Sequence, residues 1–220
     1  MKCSYPIAEE EVYTFSLEPI DSRMYCIIKD NQALVIDPCL SEAAIEFLVE
    51  QKVKDINVLL THEHIDHISG VNRLRELFNC KIICTVQCAQ RITDNRKNAA
   101  AYIEGMFAMR SKEELEQIKA LNLLNYTCYA DETFAKETEF CWHDLKIKCL
   151  GMPGHAPGAM VIIINDAYIF SGDNYIPGIK VITKLPGGNK KEYEDHVKPF
   201  FNNLNSGSII YPGHGEAVKL

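Results

Sequence analysis

A chain of 220 residues, 47% of them hydrophobic, is long enough to bury a substantial core, as one domain of two similar halves or as two small domains. Its 23 basic and 30 acidic residues give a formal charge of −7, which offers no overall footprint for a polyanion and weighs against nucleic acid as a partner. No segment approaches the ~18 consecutive apolar residues of a membrane span. The start, Met1-Lys2-Cys3-Ser4-Tyr5-Pro6, soon reaches Glu9-Glu10-Glu11 without the apolar centre of a secretory signal, so a cytoplasmic location is expected.

Residues 12–15 and 24–29 read as strands, and after the turn signal Asp30-Asn31 a further strand, 33–36, ends at Asp37-Pro38. Ser41 is placed to cap a helix whose apolar face is Ala44, Ile45, Leu48 and Val49, and the apolar run 56–60 follows as a buried strand, a β-α-β rhythm. That strand opens into Thr61-His62-Glu63-His64-Ile65-Asp66-His67-Ile68-Ser69-Gly70. Beyond it Ile68, Val71, Leu74, Leu77 and Phe78 recur at helical spacing, predicting a helix that begins at Ser69-Gly70, and 81–85 is another buried strand.

Residues 86–129 carry helical patterns and no strong strand signal. Ser111 with Glu114 makes a capping box for a helix continued by Leu115, Ile118 and Leu121, just after the bulky apolar group Tyr102, Ile103, Met106, Phe107 and Met109. This insertion is either packed on the body, a lid over a substrate pocket, or a subunit contact. Strand signals resume at 139–142 and 145–150, then at 160–164 and 167–170 around the turn Asn165-Asp166. A mostly polar helix is predicted from Asn189, with Pro199 kinking or ending it, and 208–211 is the last strand. No internal repeat is visible, and the order of elements suits stacked sheets with helices outside.

Nine cysteines, an odd count without short regular spacing, favour free thiols in a reducing compartment. Cys80, Cys84, Cys141 and Cys149 lie among apolar neighbours and read as core, while Cys39, after a strand end, is a candidate thiol at a site rim.

The chemistry is concentrated after the strand 56–60. Three histidines and an aspartate fall within six residues, and imidazole with carboxylate suits zinc, iron or manganese better than calcium or magnesium. His62 and His64 lie two apart, so extended backbone points both rings to one side, while Asp66 and His67 fall where the chain turns into a helix. Four ligands at one metal, or two at each of two metals, both fit this stretch. In the second half His155, Asp173 and His214 each sit where a strand runs out into glycine or proline, leaving only His143 and His196 of the seven histidines elsewhere.

The stretch H-x-H-x-D-H after a hydrophobic strand resembles the metallo-β-lactamase superfamily of hydrolases, and residue types and order match that family from Asp37 to Gly215. The resemblance implies an α/β fold, the four-layer αββα sandwich, as one metallo-β-lactamase-like domain over 1–220. It implies His62, His64 and His155 at a first metal, Asp66, His67 and His214 at a second, Asp173 bridging, and Asp37 behind them orienting a ligand. Two divalent ions per chain are implied, zinc foremost, with iron or manganese as alternatives. Such ions outweigh two ligating carboxylates and lower the pKa of water toward ~7, so that a bridging hydroxide attacks a carbonyl, with Asp66 as the catalytic residue that orients the water or relays its proton. A small-molecule substrate, favoured if anionic, follows from the positive site.

Within the family, H-x-H-x-D-H-x-x-G, P-G-H-x-P-G, the strand end Ser171-Gly172-Asp173 and the closing Pro212-Gly213-His214-Gly215 are similar to the glyoxalase II-like thioesterases. The expectation is a short form without the C-terminal helical extension that holds glutathione in that group, cleaving a thioester or a related ester or lactone. Other branches depart from this chain. The commonest zinc-dependent antibiotic-hydrolysing subclass has arginine in place of His67, and flavodiiron oxygen reductases have glutamate in place of His64. The branch that processes tRNA ends shares the ligands, but this chain shows no basic patch or RNA-binding arm. The alternatives are a mononuclear iron persulfide dioxygenase-like oxidoreductase and a non-catalytic metal-binding regulatory protein. Specificity is assigned to 86–129 and to the loop 174–184, where Tyr175 and Lys184 are either substrate contacts or an ordinary packed tyrosine and a solvated lysine.

Overall fold

Alternation along the strands decides which layer each side chain joins. The computed structural model of the protein describes residues 2–3, 5–7 and 9–220; Met1, Ser4 and Ala8, part of the N-terminal stretch considered above as a leader, lie outside the described residues. Strands β1 (Lys2–Cys3), β2 (Tyr13–Leu17), β3 (Ser22–Lys29), β4 (Gln32–Ile36), β5 (Asp55–Leu59), β6 (Asn79–Thr85) and β7 (Glu132–Phe134) form one sheet in sequence order. Neighbours from β1 to β4 run antiparallel and those from β4 to β7 parallel. The parallel steps need crossovers. Helix α1 (Glu42–Glu50) supplies the first, α2 (Ile65–Ile68) and α3 (Val71–Leu77) the second, and α4 (Val86–Ile92), α5 (Ile103–Met106) and α6 (Lys112–Ala120) lie in the third.

The second sheet has the order β8 (Glu137–Trp142), β9 (Leu145–Gly151), β10 (Met160–Ile164), β11 (Tyr168–Gly172), β12 (Ile209–Pro212), β13 (Val218–Lys219). Only its β11–β12 step is parallel. That crossover is the helix α7 (Lys190–Glu192), a π-helical turn Tyr193–Val197, and α8 (Lys198–Asn202).

In β4, Ala33 and Val35 pack outward with Ala44, Ile45 and Leu48 of α1, whereas Leu34 and Ile36 turn inward. The inner layer joins Leu34, Ile36 and Leu59 to Ile147, Met160, Ile162 and Phe170 of the second sheet. On the far side Val161, Ile169 and Ile210 meet Val197 and Phe201 of the last helix. These three apolar interfaces separate four layers, helix, sheet, sheet and helix, as expected for the αββα sandwich. Fully burying one such aliphatic side chain contributes about 1.5–3 kcal/mol.

Several local expectations hold and several need correction. Ser41 caps α1, and the Ser111–Glu114 capping box heads α6. The helix after the histidine stretch comes in two pieces, with His67 already in α2 and Gly70 capping α3. Pro199 does not end its helix: it stands at the start of α8, where a missing N–H is tolerated, directly after the π-helical turn. Cys141 is exposed rather than core, because it shares a face of β8 with the exposed Glu137 and Glu139, and Cys80 is only half-buried. Cys39 is buried against the helical layer instead of lining a rim, and burial pushes its thiol up to about 12. The cysteines among the described side chains are free. No helix among the described residues is long and apolar enough to cross a membrane.

Candidate metal centre

All eight residues singled out from the sequence gather at one edge of the two sheets. Asp37 follows β4, the His62–His67 stretch follows β5, His155 follows β9, and Asp173 and His214 follow the adjacent parallel strands β11 and β12. Strands that end together deliver their following residues to one place, the usual location of sites in α/β sheets. Backbone bonds hold this edge together: Met160 N–H to Thr61 O at 2.7 Å, Gly213 N–H to Gly172 O at 2.9 Å, and Arg23 N–H to Gly213 O at 2.8 Å.

Gly172 takes a left-handed φ of +50°, turning the chain sharply before Asp173. At Gly213 a Cβ would collide with Asp173 Oδ1 and His67 Cε1, so the absence of a side chain is what lets these two close on each other.

Ligand-type atoms of His62, His64 and His155 lie within 4.8 Å of one another, and so do those of Asp66, His67 and His214. Asp173 sits between the two groups, with Oδ2 3.6 Å from His155 Nε2 and 3.5 Å from His214 Nε2, and Oδ1 3.4 Å from His67 Nε2. Asp66 Oδ2 is 3.3 Å from His214 Nε2 and 3.4 Å from His67 Nε2. A third grouping, Asp37 with His62 and His67, is already occupied by hydrogen bonds.

Those bonds orient the rings. Asp37 takes the Thr61 amide at 2.6 Å on Oδ1, and on Oδ2 both the Thr61 hydroxyl and His67 Nδ1–H, the latter at 3.1 Å. Since the Thr61 hydroxyl donates to Asp37, it accepts from His62 Nδ1–H at 3.0 Å. His155 Nδ1–H donates to the Ile182 carbonyl at 2.7 Å. Each of these three imidazoles thus uses Nδ1 as donor and turns Nε2 toward the cluster, where His155 Nε2 lies 2.9 Å from His64 Nδ1.

The result is a set of buried ligand-type atoms without hydrogen-bond partners. Among the described residues Nε2 of His62, His64 and His67 and Oδ1 of Asp173 are buried with no hydrogen-bond partner. Leaving such groups unpaired is costly, and a cation is what several converging lone pairs fit. The clusters are consistent with two divalent ions.

Charge follows the same lines. Burial would raise the Asp66 carboxyl, but the His67 and His214 rings hold it down at about 2, and Asp173 is likewise kept well below the usual carboxylate range. Burial would lower His67 and His214, but the surrounding carboxylates raise them to about 9 and about 11. His62 and His64 are pushed down by burial and by neighbouring imidazoles, His64 to about 3. Neutral rings are the form that binds metal.

Above the clusters opens a cavity of about 540 Å³ with His64, Asp66, His155, Asp173 and His214 in its floor. Its walls are mainly apolar, including Ile20, Met106, Phe107 and Ile179, with Arg110, Lys180 and Asp21 as the charged groups on them. The 86–129 insertion does two things: Ile92, Ile103 and Ile118 pack in the core, while Met106, Phe107 and Arg110 line the cavity. Tyr175 does not line it and instead stacks on Phe201 at 5.0 Å, and Lys184 is absent from it as well. Sequence reasoning missed Ile20, Arg110 and Lys180 on the walls, and missed Thr61, Glu63 and Arg91 behind the floor. Only Glu63 carried a signal, since a carboxylate inside an otherwise buried stretch needs a partner.

Comparison with known proteins agrees with this geometry. The Metallo-beta-lactamase superfamily profile matches residues 18–118, which contain the first histidine stretch. "Probable metallo-hydrolase YqgX" of Bacillus subtilis is 26% identical over 201 residues, 90% of this chain and 86% of that protein. "Hydroxyacylglutathione hydrolase GloC" of Haemophilus influenzae is 27% identical over 196 residues, 87% of this chain and 84% of that one. The crystal structure of BLEG-1 B3 metallo-beta-lactamase superposes with a TM-score of 0.77 at 23% identity, covering 94% of this chain and 93% of that one. The chain has the four-layer αββα fold of the metallo-β-lactamase superfamily. Together, fold and clusters support a metallo-hydrolase in general terms.

Proposed function

We propose that the protein is a dinuclear metallo-hydrolase of the glyoxalase II-like kind, zinc-dependent in the first instance, that cleaves a thioester or a related ester or lactone. The observation that carries this reading is the set of buried, unpartnered His and Asp atoms in and behind the floor of a mainly apolar cavity. The similarity to "Hydroxyacylglutathione hydrolase GloC" supports the thioester assignment.

In this reading His62, His64 and His155 hold one ion, Asp66, His67 and His214 the other, and Asp173 both. When bound, the two ions supply a positive site that lowers the pKa of water toward ~7 and polarises a carbonyl. The remaining work belongs to the chain. Asp66, kept ionised by His67 and His214, accepts a hydrogen bond from the attacking water and passes its proton on. Asp37 and Thr61 fix the His67 and His62 rings. The apolar walls exclude bulk water from the carbonyl. Overall, a carbon–oxygen bond from water replaces the carbon–sulfur bond, and the thiol departs with a proton.

The test is a hydrolysis screen of thioesters, lactones, β-lactams and phosphodiesters on zinc-loaded protein, with metal content measured alongside. Thioester cleavage with about two ions per chain, and loss of both activity and the second ion in Asp173→Ala, is the expected result. One iron per chain with oxygen consumption would replace this reading by the oxygenase.

A further inference from the structure

Beyond the 174–184 segment lies a second and larger cavity, about 780 Å³, that shares Ile176, Ile179, Lys180 and Ile182 with the cavity over the metal centre. The two cavities share this mainly apolar segment as a common wall, on which Ile179 and Ile182 are 58% and 57% exposed.

The larger cavity has an unusual charge. Lys180, Lys184, Lys190 and Lys198 all line it, with Glu194 the one carboxylate, and Glu194 is paired with Lys198 at 3.0 Å. Among the described residues the other three lysines pair with no carboxylate, in a chain whose net charge is −7. Ammonium groups gathered around one concavity without counter-charge repel one another, and a bound polyanion relieves that repulsion. Lysines are compact point charges suited to phosphate, and no arginine with the planar fork that grips carboxylates lines this cavity among the described residues. The partly exposed Tyr193 on the same wall offers a ring against which a base can stack. Size and charge also limit the occupant. The cavity suits a small molecule, and the acidic remainder of the surface disfavours a long nucleic acid.

We propose that this groove holds the leaving-group side of the substrate, and that the substrate is a thioester whose thiol sits on a long arm ending in phosphates, of the coenzyme A kind. The acyl carbonyl lies over the metal centre, the arm crosses the common wall at Ile179 and Ile182, and the phosphates rest among Lys180, Lys184 and Lys190. This rests on the hydrolase reading above and adds the identity of the carrier.

The experiment compares, on the zinc-loaded full chain, hydrolysis of butyryl-coenzyme A with hydrolysis of the same acyl group on N-acetylcysteamine, which keeps the thioester and lacks phosphates. Binding of desulfo-coenzyme A, which has no thiol to acylate, is titrated calorimetrically in parallel. The expected result is a KM at least about tenfold lower for the phosphate-bearing thioester, with desulfo-coenzyme A binding that weakens as salt rises. In Lys184→Glu/Lys190→Glu, checked for unchanged metal content and melting, that advantage falls toward unity and desulfo-coenzyme A binding is lost. Equal KM values with no desulfo-coenzyme A binding overturn the carrier assignment and leave the hydrolase standing. Cleavage of neither thioester overturns both. Tight binding of a fluorescent single-stranded RNA in place of desulfo-coenzyme A assigns the groove to a different partner and also overturns the proposal.

Discussion

Glu63 stands between His62 and His64 in the chain, yet its carboxylate turns away from both, into an ion pair with Arg91 and a hydrogen bond from the Gly158 amide at 3.0 Å. The direction follows from extended backbone, which sends alternate side chains to opposite sides. His62 and His64 share one side, with rings 4.7 Å apart, and Glu63 takes the other. Arg91 continues outward to the Pro186 and Lys97 carbonyls at 2.6 and 3.1 Å. One buried carboxylate thereby ties the first histidine pair to α4 and to the two loops that follow β9 and β11.

Glu63→Ala should therefore be felt twice. It leaves the Arg91 guanidinium with only the Pro186 and Lys97 carbonyls, and losing a charged, largely buried hydrogen bond of this kind costs about 1.5–3 kcal/mol. It also frees the His155 loop at Gly158. A lowered denaturation midpoint together with weakened metal binding is expected in chemical unfolding and chelator competition. Unchanged metal affinity would confine Glu63 to stability.

Asp37→Asn tests the orientation of the rings. The amide keeps the shape but can present its NH₂ group toward His67 Nδ1 or the Thr61 hydroxyl, so the hydrogen-bond order His62–Thr61–Asp37–His67 is broken. Metal affinity is expected to fall about 10–100-fold. Zinc competition with a calibrated chelator measures it, and circular dichroism should show the fold retained.

Metal uptake should release protons. In the metal-free protein burial lowers His67 and His214, but the carboxylates around them outweigh it and hold them at about 9 and about 11, so both carry a proton at neutral pH that an incoming ion must displace. Apparent affinity at the Asp66–His67–His214 cluster is then expected to rise with pH through neutrality and to level off once both rings are neutral. Zinc titrations in a weakly buffered indicator solution at pH 6, 7 and 8 check both the sign and the release.

His143 and His196 stand apart from the centre. His143 pairs with Gln32 at 3.1 Å and packs edge-on to Trp142, and His196 lies in the π-helical turn before α8. Substituting either by alanine should leave the metal content unchanged by elemental analysis, and loss of an ion from either would undo the ligand assignment.

How much of this was legible depends on what the sequence encodes locally. The histidine stretch, His155, Asp173 and His214 are visible because each combines a metal-binding residue type with a strand end and a nearby glycine or proline. The order of strands and helices suggests stacked sheets with helices outside, and the four layers follow from the family resemblance; β4 and β10 are apolar on both faces and do not by themselves tell the layers apart. The neighbours Phe140 and Trp142 suggest a core position for Cys141, but the two-residue period of β8 puts it on the same side as Glu137 and Glu139. The short edge strands β7 and β13 escaped notice because their few residues are half polar and gain their place from a neighbouring strand. Arg91, Arg110 and Lys180 could not have been found, since nothing near each in the chain distinguishes it from a solvated charge. Only the meeting of distant segments gives them a role.

The hydrogen bond from His155 to the Ile182 carbonyl has a mechanical consequence. Ile182 belongs to the segment that separates the two cavities, so their common wall is fastened to one of the rings in the floor. That segment cannot swing aside without either breaking this link or dragging the imidazole along. On the proposed function, a shift of this segment and a shift of the His155 ring are linked by that bond, so substitutions that displace Ile182 are expected to weaken metal binding as well as alter the cavity.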